Sequence, residues 1–452
     1  MLLATAMTVS ANDDFETPKS IELTADEKLL VEKNNDFAVN LMRQVYTEAN
    51  MLLSPLSITY ALGMLNNGAA GQTQQEINTT LGFGDAGADA INRFCRKLLT
   101  ESGTLDEETR VDIANTIYVN SHWGYELKEP FVQKANEFYD AQPESRDFYD
   151  GQTMGVINQW ASDHTEGMIK KVLDKNTFSP NAVSYLLNAI YFKGLWTYKF
   201  DKADTRDEEF LTYEKQAYPV VPMMHIPFST LLENGAGFCY TENDLYQAIK
   251  LPYGKGAYQM TVILPREGKS IWDVLATLNG DNWQFPGPEI PVDLKLPRFD
   301  TDTDIDLKPV MKALGMPTAF DLQRAEFPGF CNTETYIDMM KQVAKIKLDE
   351  EGTEAAAVTV IGMETTGMHE QKIVDFHATR PFLYVISEQS TGAIFFIGQY
   401  TGVERGEVRL GVNSIHGATS TNDAIYNLNG QRLLAPPAHG LYITRGKKIL
   451  AD

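Results

Sequence analysis

Hydrophobic residues recur at helical spacing near the beginning of the chain. Phe37, Leu41 and Val45 follow one another at intervals of four residues, which places all three on one face of a helix. Thr24 and Glu27 precede this stripe with the spacing of a capping box, a reciprocal pair of side-chain to backbone hydrogen bonds that begins a helix. The pattern predicts a helix from Thr24 to about Val45, with its apolar face packed against a core.

Further along the chain, short apolar runs predict strands. Residues 185–191 are almost continuously apolar, which is typical of a strand buried on both faces. Residues 248–251 and 259–264 flank a segment that contains proline and glycine, an arrangement that predicts a hairpin. Helical and strand-like segments are mixed without regular alternation, so we expect an α+β fold and not a doubly wound sheet.

The last fifty residues have a different pattern. Residues 403–422 carry glycine, serine and threonine and are typical of a linker. Within the tail that follows, residues 423–452, two ten-residue segments share tyrosine, glycine and a terminal leucine at the same offsets. Asn429-Gly430 is a strong signal for a tight turn between strands. We therefore predict a small C-terminal tail of two hairpin-like repeats.

The composition is that of a globular protein. Of the 452 residues, 43% are hydrophobic and 22% are charged, which argues against global disorder. The net charge of −22 disfavours binding to nucleic acids, heparin-type polyanions and anionic membranes, because these require clustered lysine and arginine. We interpret the one short basic cluster, Arg93, Arg96 and Lys97, as a solvated helix face. The absence of an apolar run of 18 residues argues against a membrane span.

The N-terminus has two features of a secretory signal. Residues 2–9 are apolar and small, and Val9-Ser10-Ala11 has the small-x-small pattern after which signal peptidases cut, although the usual basic segment is missing. We interpret residues 1–11 as a signal-peptide remnant and residues 12–34 as an N-terminal arm that runs into the first helix. The protein is therefore expected to be secreted, with an extracellular, periplasmic or cell-surface location.

The sequence contains no recognisable catalytic or metal-binding motif. It has no GxSxG, HExxH, P-loop or glycine-rich dinucleotide motif, and its seven histidines include no pair at helical metal-ligand spacing. Cys95, Cys239 and Cys331 each follow a phenylalanine, which suits small buried side chains, although a single pairing among them stays open. We expect neither an enzyme nor a bound metal or cofactor.

One segment has a composition that suits neither a permanent helix nor a permanent strand. Residues 349–360 read DEEGTEAAAVTV. The alanines favour a helix weakly, the β-branched end favours a strand, and Gly352 interrupts both. Residues 361–371 contain two glycines and two methionines without periodicity, so we interpret them as an exposed loop.

The first part of this segment resembles the hinge of an inhibitory serpin. The similarity extends over nearly the whole chain, from about Asn35 to Gly402. It is carried, in family order, by LSPLSI at 53–58, ALGM at 61–64, GAAGQT at 68–73, NAIYFKGLW at 188–196, LPRF at 296–299, LGM at 314–316, RPFL at 380–383 and GAI at 392–394. The resemblance implies a serpin domain over residues 35–402, with a large central mixed sheet, two further sheets, about eight or nine helices and an exposed reactive-centre loop at about 350–371.

The resemblance also implies a mechanism. A target serine protease cleaves the loop and forms an acyl-enzyme, and the hinge then inserts as a new strand of the central sheet and traps the covalent complex. The implied hinge residues are Glu350, Glu351, Gly352, Thr353, Glu354, Ala355, Ala356, Ala357, Val358 and Thr359. The implied sheet-opening residues are Ser54, Ser57, Asn188, Trp196 and Gln342, the last of which stands where many serpins carry a histidine. We expect a monomer that binds no nucleic acid.

Side-chain alternation in the hinge is consistent with insertion as a strand, because successive residues of a strand face opposite sides. The face that begins at Thr353 continues with Ala355, Ala357 and Thr359 and carries no charge. The charged side chains Glu354 and Glu364 both fall on the opposite face. Insertion in this register therefore avoids the cost of burying an unpaired carboxylate.

The cleaved bond is placed by counting from the hinge. In the family it usually follows the fourteenth residue beyond the hinge glycine, which here is Thr366, with Gly367 after it; Met363 and Met368 are the alternatives. Threonine suits elastase-like and subtilisin-like proteases, and methionine also suits chymotrypsin-like ones. Trypsin-like targets are disfavoured because residues 348–371 contain no lysine or arginine.

The family resemblance also allows an alternative function. The alternative function is that of a non-inhibitory serpin acting as a binding or chaperone-like protein, although such relatives usually carry bulky or charged hinge residues.

The C-terminal tail resembles those of many exported Bacteroidetes proteins, which fits a bacterial protein.

Overall fold

The computed structural model describes residues 18–212, 219–353 and 373–403, and the backbone of four strands between residues 425 and 451. The chain divides into two compact units, Met1–Glu404 and Arg405–Asp452. The predicted signal-peptide remnant, and the predicted linker beyond Val403, lie outside the described residues.

The described part of the first unit contains nine α-helices. They are α1 (Ala25–Val45), α2 (Pro55–Asn66), α3 (Gly71–Thr80), α4 (Ala88–Ser102), α5 (Glu129–Tyr139), α6 (Thr153–Asp163), α7 (Phe228–Glu233), α8 (Ile271–Leu275) and α9 (Lys308–Ala313). The predicted first helix is confirmed: the Glu27 N–H donates to Thr24 Oγ1, and the Thr24 N–H donates to Glu27 Oε2 at 2.8 Å. Every residue of α2 is buried, so this helix runs through the interior.

Six strands form the central sheet. They are β2 (Thr109–Asn120), β3 (Glu144–Arg146), β4 (Ser184–Leu195), β12 (Phe299–Asp306), β13 (Met339–Leu348) and β14 (Gly352–Thr353), in the spatial order β12-β13-β14-β4-β2-β3. β13 and β4 also pair directly and in parallel, whereas β4 pairs antiparallel with β2. The expected large mixed sheet is therefore confirmed.

Two further sheets complete the first unit. The seven-stranded sheet contains β1 (Met51–Leu53), β7 (Phe238–Glu242), β8 (Tyr246–Tyr253), β9 (Tyr258–Pro265), β10 (Glu289–Ile290), β16 (Phe382–Glu388) and β17 (Ile394–Tyr400), in the order β1-β17-β16-β9-β8-β7-β10. The four-stranded sheet contains β5 (Arg206–Glu209), β6 (Val220–Ile226), β11 (Asp293–Pro297) and β15 (Asp375–His377), in the order β15-β11-β6-β5. The predicted hairpin is the antiparallel pair β8 and β9.

The central strand β4 is buried on both faces, as its apolar run predicted. Alternate residues, among them Leu186 and Ile190, belong to the main core. The residues between them, among them Tyr185 and Leu187, belong to a second cluster that includes Ile157 from α6. A new strand beside β4 must therefore bury at least the side chains that face the main core.

The second unit contains four short strands. They are β18 (Ile425–Asn427), β19 (Arg432–Leu433), β20 (Gly440–Thr444) and β21 (Lys447–Ala451). β18 pairs with β19, and β20 with β21, at the two places where the sequence repeat predicts hairpins. β18 also pairs with β20, so the strands form one sheet.

The three cysteines are unpaired. Cys95 and Cys331 are buried, and burial raises the pKa of the Cys95 thiol. Cys239 differs from the expectation of a buried thiol, because it is only half-buried on β7, near the edge of its sheet. Among the helices of the described residues, none is long and apolar enough to cross a membrane.

Candidate hinge and sheet-opening site

The start of the predicted hinge already lies inside the central sheet. Strand β14 consists of two residues and is antiparallel to both of its neighbours, pairing Thr353 with Leu348 of β13 and Gly352 with Leu195 of β4. Beyond this end of the sheet, β13 and β4 pair directly through six residue pairs, from Met339 with Tyr185 to Ala344 with Ile190. We call this direct pairing the seam. A chain that continued β14 would have to separate the seam.

A tight turn connects β13 to β14 and requires glycine. Gly352 has a φ of 151°, which disfavours residues that carry a Cβ atom. A Cβ built there would overlap the carbonyl oxygen of Gly194 and approach Leu195 Cα at 2.7 Å. The Asp349 N–H donates to the carbonyl of Gly352 at 2.9 Å and closes the turn.

Replacing Gly352 by alanine is therefore expected to lower the free energy of unfolding by about 1–3 kcal/mol, because the new side chain either strains the turn or displaces β14. Urea denaturation followed by circular dichroism would measure the change. Gly103→Ala is the matched control, since a Cβ at Gly103 meets nothing within 4 Å. Equal stability of the two variants would contradict the role assigned to the turn.

Thr353 points into the protein. Its side chain is 1% exposed, and its hydroxyl oxygen lies 2.9 Å from the phenolic oxygen of Tyr253. The Tyr253 ring stacks on Trp196 with 4.4 Å between the ring centroids, and burial raises the pKa of the Tyr253 hydroxyl. Thr353 thus lies on the inward face of the sheet, the face that the alternation pattern leaves free of charge.

Trp196 holds the turn from the β4 side. Its indole Nε1–H donates to the carbonyl of Asp349 at 3.0 Å, and its backbone N–H donates to the carbonyl of Glu351 at 2.9 Å. The N–H of Phe200 donates to the carbonyl of Glu350 at 3.0 Å. These bonds fix the point from which the hinge departs.

The first two glutamates of the predicted hinge have different surroundings. Glu350 is 2% exposed and accepts a hydrogen bond from the Thr205 hydroxyl at 2.8 Å, with Arg298 Nη1 at 3.4 Å. Glu351 forms ion pairs with Lys202 at 3.1 Å and Lys199 at 3.2 Å. Hydrogen bonds from Lys202 and Lys199 outweigh burial and lower the pKa of Glu351.

A buried polar cluster lies beneath the seam. The Gln342 side chain is fully buried. The two hydrogens of its Nε2 are shared among Asn188 Oδ1 at 2.7 Å, the carbonyl of Ser54 at 3.0 Å and Ser57 Oγ at 3.1 Å, while its Oε1 accepts from the Ser54 N–H at 3.0 Å. Gln342 and Asn188 are also directly opposite each other across the seam. The glutamine therefore joins β13 to β4 and to the start of α2.

The structure divides the predicted sheet-opening residues into two groups. Ser54, Ser57, Asn188 and Gln342 lie together beneath the seam, whereas Trp196 lies at the end of the sheet beside β14. The rest of the predicted hinge, Glu354 to Thr359, and the predicted cleavage residues Met363, Thr366, Gly367 and Met368 lie outside the described residues.

Sequence reasoning missed several residues that contact the hinge. Tyr253 is the most important, because its hydroxyl and ring connect Thr353 to Trp196. Lys199 and Lys202 follow β4 and neutralise Glu351. None has a local sequence signal, because each acts through a contact that only the folded chain creates.

Comparisons with known proteins agree with this geometry. A profile of the family described as Serpin (serine protease inhibitor) matches residues 32–402. Glia-derived nexin from Rattus norvegicus is 30% identical over 381 residues, which cover 82% of this chain and 92% of the nexin. The native structure of the thermophilic serpin tengpin is 28% identical with a TM-score of 0.74, over 84% of this chain and 95% of tengpin. Human thyroxine-binding globulin is 27% identical with a TM-score of 0.74, over 84% of this chain and 100% of the globulin. This chain belongs to the serpin family.

Proposed function

We propose that the protein is an irreversible, suicide-substrate inhibitor of serine proteases. The observation that carries the proposal is the position of β14, because Gly352 and Thr353 of the predicted hinge pair with β4 and β13 as the first two residues of a strand between them. Insertion after cleavage would continue a strand that has begun, and would extend it into the seam.

The covalent step follows from the chemistry of serine proteases. The protease serine Oγ forms an ester with the carbonyl carbon of Thr366 while the peptide bond to Gly367 breaks, and the new amine of Gly367 takes up the proton. Hydrolysis of this ester would release an active protease. Inhibition therefore requires that the hinge side of the loop insert, and carry the protease away from its attack geometry, before water cleaves the ester.

The native pairing of the hinge supports an insertion register. Since Thr353 faces inward, alternation places Ala355, Ala357 and Thr359 inward as well. These side chains are small and uncharged, so they suit the buried face beneath the sheet. Insertion along the seam would replace the six direct pairs of β13 and β4 with pairs to the new strand, which conserves backbone hydrogen bonding.

The target class follows from the loop sequence. We propose elastase-like, subtilisin-like or chymotrypsin-like proteases, with Thr366-Gly367 as the cleaved bond and Met363 and Met368 as alternative positions. The absence of lysine and arginine between residues 348 and 371 disfavours trypsin-like proteases, whose specificity pocket carries a buried carboxylate.

A panel of neutrophil elastase, chymotrypsin, subtilisin and trypsin tests the function. The expected result is a complex that survives denaturing electrophoresis with at least one of the first three proteases, and none with trypsin. Mass spectrometry of the released C-terminal fragment would identify the cleaved bond. Clean cleavage without a complex would contradict inhibition and support the second function, a binding or chaperone-like protein, since relatives such as thyroxine-binding globulin are named for binding.

We also infer that the protein is exported from a bacterial cell, on the basis of the signal-like residues 1–11 and the repeat in residues 423–452. Expression in a Bacteroidetes host, followed by fractionation and N-terminal sequencing, tests this inference. Recovery of the protein only from the cytoplasm, with Met1 retained, would contradict it.

A further inference from the structure

Three adjacent strands of the four-stranded sheet, β6, β11 and β15, bring two histidines and two aspartates together. Asp293 on β11 lies directly opposite Asp375 on the parallel strand β15. Asp375 and His377 are two residues apart on β15, so both side chains lie on the same face of the sheet. Each of the three residues offers a ligand atom, and these atoms all lie within 4.8 Å of one another.

Asp293 is held in place from several sides. Its Oδ2 lies 2.8 Å from Nε2 of His377, and its Oδ1 lies 3.1 Å from Nε2 of His225 on β6. The Phe228 N–H donates to the same Oδ1 at 3.2 Å. Burial alone would raise the pKa of Asp293, but the hydrogen bonds from His377, His225 and Phe228 hold it below its ordinary value.

We propose that Asp293, Asp375 and His377 form a binding site for Zn²⁺, with His225 as a positioning residue for Asp293. One imidazole nitrogen and two carboxylate oxygens are ligands that zinc accepts, and the partly exposed cluster leaves the fourth position to water. His225 contacts the carboxylate of Asp293 by a hydrogen bond. Residues around metal sites commonly orient a ligand in this way.

Binding of zinc requires the side chains to adjust, because the ligand atoms lie up to 4.8 Å apart and the widest separation must close by as much as about 1.5 Å. Ligand atoms around a tetrahedral zinc ion lie about 3.3 Å apart, given bond lengths of about 2.0–2.1 Å. The 2.8 Å contact between His377 and Asp293 must therefore widen by about 0.5 Å, which a side-chain rotation on the half-exposed β15 can supply. Calcium and magnesium prefer sites made of oxygen alone, so the imidazole disfavours them.

Zinc at this site would fasten β15 to β11. β15 has three residues, lies at the edge of its sheet, and begins a few residues after the reactive-centre loop. An uncleaved loop is tethered at both ends, so it can insert fully into the central sheet only if β15 first leaves β11. If the proposed inhibitory function is correct, zinc should therefore slow the spontaneous loss of inhibitory capacity.

Isothermal titration of the tag-free, full-length protein with ZnCl₂ tests the site. One zinc ion per chain is expected, with affinity reduced by about 10-fold or more in His225→Gln and by a larger factor in Asp375→Asn and His377→Gln. The matched control is His122→Gln, since His122 forms a comparable pair with Asp147 elsewhere on the surface. The control should bind zinc as the unchanged protein does.

Hydrogen exchange with and without ZnCl₂ gives a second readout that needs no protease. Slower exchange of the β15 amides is expected in the unchanged protein and not in Asp375→Asn, whose exposed position should leave the fold intact. No zinc binding, or equal binding by Asp375→Asn and His377→Gln, would overturn the site. Zinc binding without any covalent protease complex would leave the site standing and contradict the inhibitory function instead.

Discussion

Replacing Thr353 by arginine is expected to convert the protein from an inhibitor into a substrate. Thr353 is buried against Tyr253 in the native protein, and the Tyr253 ring is itself stacked on Trp196. An arginine there would have to enter this apolar space unpaired, or leave β14 outside the sheet. Either result removes the first step of insertion.

The expected effect on inhibition is large because insertion competes with hydrolysis of the ester. If arginine raises the barrier to insertion by about 2 kcal/mol, insertion slows roughly 30-fold and most ester is hydrolysed. The number of inhibitor molecules consumed per protease molecule should then rise about 10-fold or more. Titration of residual protease activity, together with denaturing electrophoresis, measures both the consumption and the loss of complex.

Two variants separate the effect of the buried face from that of charge. Thr353→Ser keeps the hydroxyl that contacts Tyr253 and should remain an inhibitor. Ala356→Arg places the same charge on the opposite face of the hinge, according to the alternation of side chains along a strand. Inhibition by this variant should fall much less than inhibition by Thr353→Arg. A stable complex formed by Thr353→Arg at the original stoichiometry would refute the insertion register.

Local features of the fold were predictable because their signals are local. The first helix follows from a capping box and an apolar stripe that lie within 22 residues, Thr24 to Val45. The hairpin of β8 and β9 follows from two apolar runs beside a proline- and glycine-containing turn. The burial of β4 on both faces over residues 185–191 follows from their almost continuous apolar sequence, since both faces meet a core.

The order of strands and the contacts of the hinge were not predictable from local patterns. The parallel pairing of β13 with β4 joins residues about 150 positions apart, and no periodicity encodes it. Family resemblance placed Gln342 near Asn188, but the polar contacts of its amide with Ser54, Ser57 and Asn188 required the folded structure. The cluster of Asp293 and His377 was missed because its members come from different strands.

In the central sheet, strands β13 and β4 are separated at one end and paired directly in the middle. At the end beside Trp196, β14 already separates β13 from β4. In the middle, Gln342 and Asn188 hold the same two strands together by a buried hydrogen bond of 2.7 Å. Insertion must therefore pass from a region where the strands are apart to a region where a polar contact opposes their separation. The strength of that contact should influence both stability and the ease of opening.

Replacing Gln342 by leucine is expected to lower the free energy of unfolding by about 2–4 kcal/mol. Leucine fills a similar volume but leaves the buried Ser54 N–H and the polar side chains of Ser57 and Asn188 with fewer partners, and each unsatisfied buried group costs about 1–3 kcal/mol. Thermal and urea unfolding would measure the loss.

Two control variants test whether the loss of stability in Gln342→Leu comes from the buried hydrogen-bond network. Gln133→Leu makes the same change on the exposed face of α5 and should alter stability by less than about 0.5 kcal/mol. Gln342→His keeps a hydrogen-bonding side chain, now an imidazole ring, at the position where many serpins carry histidine. This variant should lose less stability than Gln342→Leu.

Because leucine also removes the bond that holds the seam closed, Gln342→Leu should open the sheet more readily and convert faster to a loop-inserted form on warming. Unchanged stability and an unchanged conversion rate would show that the seam is held by its backbone pairs alone.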